Sequence, residues 1–156
     1  MPAYPGVAGS FVSAKSNVSP ITLQKGESHY VVGALAAGAT QLPVTDLNVA
    51  NENFAGPSVA VNLLPGAQGD PVPAVSVEVQ FSGAPGAGES IAVQEADTDA
   101  DGFFITPAAI AYTISAFTAN NAARVDFFTT GGKFLRVNRT RGANALGCTI
   151  KMTRLA

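Results

Sequence analysis

The sequence predicts an all-β protein: an antiparallel β-sandwich, jelly-roll-like, with an extended N-terminal arm. Three observations lead there. Short runs rich in Val, Ile, Thr and Phe recur along the chain, divided by Gly, Pro, Asn and Asp. The clearest runs alternate apolar and polar residues, which is the period of a half-buried strand. No stretch sustains the 3.6-residue apolar period of an amphipathic helix.

The elements follow in order. Residues 1–27, MPAYPGVAGSFVSAKSNVSPITLQKGE, hold three prolines, three glycines and scattered single hydrophobes. That composition reads as an arm that becomes ordered by lying on something else, or as a partly disordered tail. Tyr4, Val7, Phe11, Val12 and Ile21 are the arm side chains suited to pockets on a neighbouring subunit.

Residues 28–156 read as a single β-sandwich domain, with strands expected near 29–36, 42–49, 58–64, 74–81, 90–95, 103–106, 111–118, 123–130, 133–139 and 147–154. In VSVEVQF, Val75, Val77, Val79 and Phe81 share one face while Ser76, Glu78 and Gln80 share the other. CTIKMTR sends Cys148, Ile150 and Met152 inward and Thr149, Lys151 and Thr153 outward. ARVDFFTT and KFLRVNRT flank Gly131-Gly132, a pair suited to a tight hairpin turn. Val125, Phe127 and Thr129 would then line one face of its first strand. The only plausible helical stretches are short, around 107–111 and 119–123. No repeat of fixed period is present, so propellers and solenoids are excluded.

A chain of 156 residues can bury one sizeable core. Only 13% of its residues are charged, about half the usual quarter. Either much of the exterior is covered by other chains, or small residues simply fill a β protein. Charge is also unevenly spread. Residues 1–101 hold ten acids and two lysines, a balance of −8; residues 102–156 hold Asp126 against seven cations, a balance of +6. A basic final third can pair with acidic strands of its own chain or face a protein partner. In the second case Arg136, Arg139 and Arg141 are the candidate contacts. The basic and aromatic interleaving of a nucleic-acid module is missing.

Cys148 is alone, which rules out an intrachain disulfide framework. The N-terminus lacks the basic and apolar regions of a secretory leader. Residues 102–123 are uncharged, yet Pro107, Tyr112 and Asn120-Asn121 argue against a membrane span.

The sharpest chemical motif is Asp97-Thr98-Asp99-Ala100-Asp101-Gly102. Alternate aspartates ending in glycine open the calcium loop of helix-loop-helix sites, which also needs a bidentate Glu at loop position 12. That position is Ala108, preceded by Pro107, so this hand is excluded. A looser calcium site remains open, with Asp97, Asp99 and Asp101 joined by Glu95 or by backbone carbonyls. So does an ordinary acidic turn.

Other chemistry is sparse. Gly132-Lys133 lacks the remaining residues of a phosphate loop, because Phe127 and Phe134 occupy its other required positions. His29 is the only histidine, which excludes a two-histidine metal site within one chain. A serine or cysteine nucleophile would need His29 as its base, and no Gly-x-Ser-x-Gly elbow is present. Glu78, Glu89 and Glu95 are carboxylates of the kind that glycoside hydrolysis pairs, although any acidic β protein offers such pairs.

Taken whole, the low-charge arm, the Ala-, Gly-, Ser- and Thr-rich β domain and RVDFFTTGGKFLRVNRT resemble structural proteins of tailed bacteriophage virions. The likeness is greatest to jelly-roll capsid decoration, or cement, proteins. It implies a non-enzymatic homo-oligomer that clamps major capsid protein subunits from outside, with arms reaching across. It further implies no cofactor, no nucleic acid or membrane partner, synthesis in the host cytoplasm and a place on the virion surface. Two rivals stand beside it: another head–tail or tail component, and a carbohydrate-binding jelly roll. The last normally exposes aromatic platforms, and here Trp is absent while Tyr4, Tyr30 and Tyr112 are the only tyrosines.

Overall fold

The computed structural model describes residues 21–32, 41–48, 52–63, 72–106, 113–114, 121–130, 132–144 and 146–156, the pair 113–114 by its backbone only. Eleven strands form among them: β1 (Ile21–Thr22), β2 (Ser28–Val31), β3 (Val44–Thr45), β4 (Gly56–Pro57), β5 (Val61–Asn62), β6 (Ala74–Phe81), β7 (Ser90–Ala96), β8 (Thr113–Ile114), β9 (Ala122–Phe128), β10 (Phe134–Thr140) and β11 (Cys148–Arg154). Sheet 1 has the order β1-β5-β10-β7-β8, with β4 also on β10; sheet 2 has the order β3-β2-β11-β6-β9. All pairings are antiparallel except β1 with β5. The two sheets face each other as a β-sandwich.

The alternating runs explain the core. Val75, Val77, Val79 and Phe81 of β6 and Cys148, Ile150 and Met152 of β11 are buried, as the period of two predicts. Leu135 and Val137 of β10 and Ile91 and Val93 of β7 meet them from the opposite sheet in one apolar cluster. Each such side chain taken fully from water contributes roughly 1.5–3 kcal/mol.

Three expectations change. ARVDFFTT and KFLRVNRT do not form a hairpin: β9 pairs with β6 in sheet 2, and β10 pairs with β7 in sheet 1. Phe127 and Leu135 therefore bury against the core from opposite layers. Alternation shows that a strand has one apolar face; it does not say which sheet presents it. Of the short helix expected at 119–123, residues 122 and 123 are in β9 instead, and the chain enters that strand through Asn121 at φ 60°, a left-handed conformation that Asn tolerates. The helix expected at 107–111 lies outside the described residues.

The arm boundary also moves. Ile21 sits in β1 beside Val61, and Leu23 is fully buried in the core. Residues 21–27 thus belong to the sandwich. Arg154 ties them in, donating through Nη1 to the carbonyls of Leu23 and Leu63.

Candidate functional site

The acidic turn is built as a clasp. A short 3-10 turn at Asp101–Phe103 follows it, and Ile105 then bridges back to Glu95 of β7. This brings Phe104 down on the outer side of sheet 1, where it joins Ala60, Ala96 and Phe134 in a second, smaller apolar cluster. Arg136 points to the same side. Its guanidinium carbon lies 4.2 Å from the Phe104 ring centroid, its Nε donates to Gln94 Oε1 at 2.9 Å, and its Nη1 donates to Asp101 Oδ1 at 2.6 Å. The cation is enclosed by the aromatic face and the carboxylate, an arrangement that strengthens charge-assisted bonds.

One of the three expected metal ligands has a partner in the clasp. Asp101 accepts from Arg136 and, at 3.4 Å, from Gln41 Nε2. Among the described residues, no group of three or more His, Cys, Asp and Glu side chains is placed to hold a metal ion.

Two buried glutamates each serve a turn. Glu95 Oε1 accepts from the Thr130 and Gly132 amides at 3.1 and 3.2 Å, fixing the passage from β9 to β10. A Cβ on Gly132 would stand 2.9 Å from that oxygen, so glycine is what lets the carboxylate reach the amide. Burial raises the Glu95 pKa above its ordinary value; the hydrogen bonds from Thr130 and Gly132 oppose this, and the Asp97 charge adds to it. Phe103 and Ile105 border a recess of about 320 Å³ beside it.

Glu89 is the counterpart at the other end of β7. It takes Arg139 Nε and Nη2 in a two-pronged pair at 2.8 and 2.9 Å, and the Gly142 amide at 2.9 Å. Arg139 also donates to the carbonyls of Phe54 and Leu146, and its guanidinium carbon lies 5.2 and 5.3 Å from the Phe54 and Phe81 ring centroids. Side-chain exposure is 0% for Arg139 and 1% for Glu89, so this pair stands in the interior with its hydrogen bonds internally met. A Cβ on Gly142 would stand 2.9 Å from the Glu89 Cβ.

The outer side of sheet 2 is different. Strand register sets Tyr30, Lys151, Glu78 and Arg124 straight across β2, β11, β6 and β9, and Thr149, Gln80 and Ala122 in the next row. Lys151 Nζ lies 3.7 Å from Glu78 Oε2, and Arg124 Nε lies 2.9 Å from Asp126 Oδ1. The hydrogen bond from Arg124 holds the Asp126 carboxyl below its ordinary pKa. Short side chains at Ala122 and Thr149 beside the long ones at Tyr30, Lys151 and Arg124 leave an open groove of about 480 Å³. At one corner of this side three apolar side chains are exposed: Phe128 by 69%, Val72 by 47% and Leu155 by 42%. Phe128 stands opposite Ala74, the Leu155 amide donates to the Ala74 carbonyl, and Val72 precedes Ala74 by two residues.

The sequence-predicted contact residues are scattered by this geometry. Tyr4, Val7, Phe11 and Val12 lie outside the described residues. Ile21 is buried in the core and Arg139 in the interior, so neither offers a contact surface. Arg136 is held under the clasp; the charge it was expected to present outward is spent on Asp101. Arg141 alone of the three arginines is exposed, with Nη1 3.4 Å from Asn53 Oδ1. The pairing of basic strands with acidic neighbours inside one chain, one of the two accounts of the charge asymmetry, is what Arg136 and Arg139 display. Sequence reasoning passed over the row Tyr30, Lys151, Glu78, Arg124 because alternation places each on an outer face without revealing which strands are neighbours.

The histidine and the cysteine are both buried. The Nε2 of His29 lies 3.0 Å from the Thr22 carbonyl oxygen. Burial pushes the Cys148 thiol to about 12, far from the thiolate a nucleophile needs. Among the described residues no helix is long and apolar enough to cross a membrane. Comparison with known proteins finds no matching protein-family model, no matching curated protein and no matching solved structure.

Proposed function

We propose that this protein is a non-enzymatic virion structural protein, a decoration protein that binds the capsid exterior as a symmetric homo-oligomer. The observation that carries the reading is the apolar corner on the outer side of sheet 2, where Val72, Phe128 and Leu155 stand exposed around Ala74. Exposed apolar groups gathered in one place mark a surface that another protein covers. The spending of Arg136 and Arg139 on internal partners supports it further, because it leaves the exterior poorer in charge than the composition alone implies. Obligate subunit interfaces are apolar in this way. In this reading residues 1–20 add attachment to the major capsid protein.

Light scattering on the purified chain tests self-association. A stable multimer is expected, and Phe128→Asp should shift it to smaller species while circular dichroism stays unchanged. Co-sedimentation with assembled phage capsids tests the partner, and removal of residues 1–20 should weaken it. A wild-type chain that stays monomeric at all concentrations, or ignores capsids, overturns the proposal.

A further inference from the structure

The groove on the outer side of sheet 2 has a chemistry that the apolar corner and the assembly reading do not use. We infer that it is a binding site for a neutral saccharide. Its floor is a grid on four adjacent strands. Tyr30, Lys151, Glu78 and Arg124 form one row, and Gln80 lies beside Glu78 in the next. With strands about 4.8 Å apart and same-face residues about 6.8 Å apart, the grid measures about 14 by 7 Å. The groove volume of about 480 Å³ falls within the range of small-ligand sites.

Charge balance selects the ligand. Lys151 is set against Glu78 within the groove, and Arg124 against Asp126 in the row just beyond its lining, so each cation has a carboxylate beside it. A phosphate or a polyanion entering the groove would meet Glu78 at its centre, and a polycation would meet Lys151 and Arg124 on either flank. Beside these matched charges the floor offers planar hydrogen-bonding groups: a carboxylate, a guanidinium and the Gln80 amide, whose Nε2 also donates to the Phe81 carbonyl. These match neighbouring hydroxyls, which both donate and accept. The Lys151 to Glu78 separation of 3.7 Å is longer than an ordinary hydrogen bond, so a ligand hydroxyl can compete for the Glu78 carboxylate. Tyr30, half-buried at the end of the row, supplies the flat apolar edge against which a sugar ring packs while its phenol stays polar. The residues stand on strands rather than loops, so the site is preorganised.

Titration calorimetry of the full chain against neutral mono- to tetrasaccharides of glucose, galactose, mannose and N-acetylglucosamine tests this directly, with uronate and sialylated glycans run in parallel. Saturable binding of at least one neutral series is expected. Tyr30→Ala and Glu78→Ala should each weaken it at least tenfold, whereas Lys133→Ala, on the other sheet, should not. Thermal unfolding of each variant shows whether the fold is kept; if Glu78→Ala unfolds, Glu78→Gln takes its place, with the same tenfold loss expected. Binding confined to acidic glycans, binding indifferent to Tyr30 and Glu78, or no binding of any glycan overturns the inference. Because none of these outcomes depends on oligomeric state or capsid attachment, the saccharide site and the assembly reading stand or fall separately.

Discussion

The outer sides of the two sheets receive opposite treatment. Sheet 1 is overlaid by residues 97–106, with Phe104 in an apolar cluster and Arg136 sealed between that ring and Asp101. Sheet 2 presents a polar ladder, a groove and an apolar corner. The same kinds of residue do different things on the two sides. An arginine and an aspartate make a closing clasp on one and a solvent-facing pair on the other. The lesson is that an ion pair acts structurally where an apolar neighbour shields it, and decorates a surface where water reaches both partners.

Four substitutions sharpen this contrast, from the largest effect to the smallest. Arg139 belongs to neither outer side and sets the scale for a fully enclosed charge. Arg139→Met leaves Glu89 without its partner and should cost roughly 3–5 kcal/mol in urea unfolding. The double replacement Arg139→Met with Glu89→Leu should recover most of that loss. A single variant as stable as wild type would mean that the pair is not closed to water.

Arg136→Ala opens the clasp. Loss of charge-assisted hydrogen bonds of this kind costs roughly 1.5–3 kcal/mol. Hydrogen exchange should quicken at the amides of Ile105 and Glu95, which bridge the clasp to β7, while β6 and β11 stay protected. Uniform quickening across both sheets would show that residues 97–106 are not a separate layer.

Glu95→Gln tests the same side through pH. Because the folded carboxyl is raised above its ordinary 4.5, the fold prefers it protonated. Its contribution is complete below the ordinary value and is lost as pH rises through the raised folded one. Wild type should therefore lose stability relative to Glu95→Gln between mild acid and neutrality, and the two curves should converge towards acid. Parallel curves would contradict the burial of that carboxyl.

Arg124→Ser, on the open side, should leave the unfolding midpoint unchanged, because an exposed pair contributes little against solvation and salt. A clear loss of stability there would mean that the cover over the apolar corner extends across the Arg124 row as well.

How far each part was legible follows from these particulars. The strands β6 and β11 could be read to within a residue, since VSVEVQF and CTIKMTR carry their inward faces in their own alternation. The groove could not, because it depends on β2, β11, β6 and β9 lying side by side, and their separation along the chain hides that adjacency. Asp97, Asp99 and Asp101 are conspicuous as a spacing, but a spacing does not reveal which distant side chain each one meets. Arg136 lies far along the chain and is the partner Asp101 found.

By itself the sequence determined the β class and, for β6 and β11, the strand positions and buried faces, because alternation, turn residues and branched side chains act over a few residues. Only the tertiary structure decided that ARVDFFTT and KFLRVNRT divide between two sheets, that Arg139 and Glu89 meet in the interior, and that one outer side is clasped while the other is open. Those outcomes depend on pairings between distant segments. Their energy comes from excluding water between groups that no local pattern brings together.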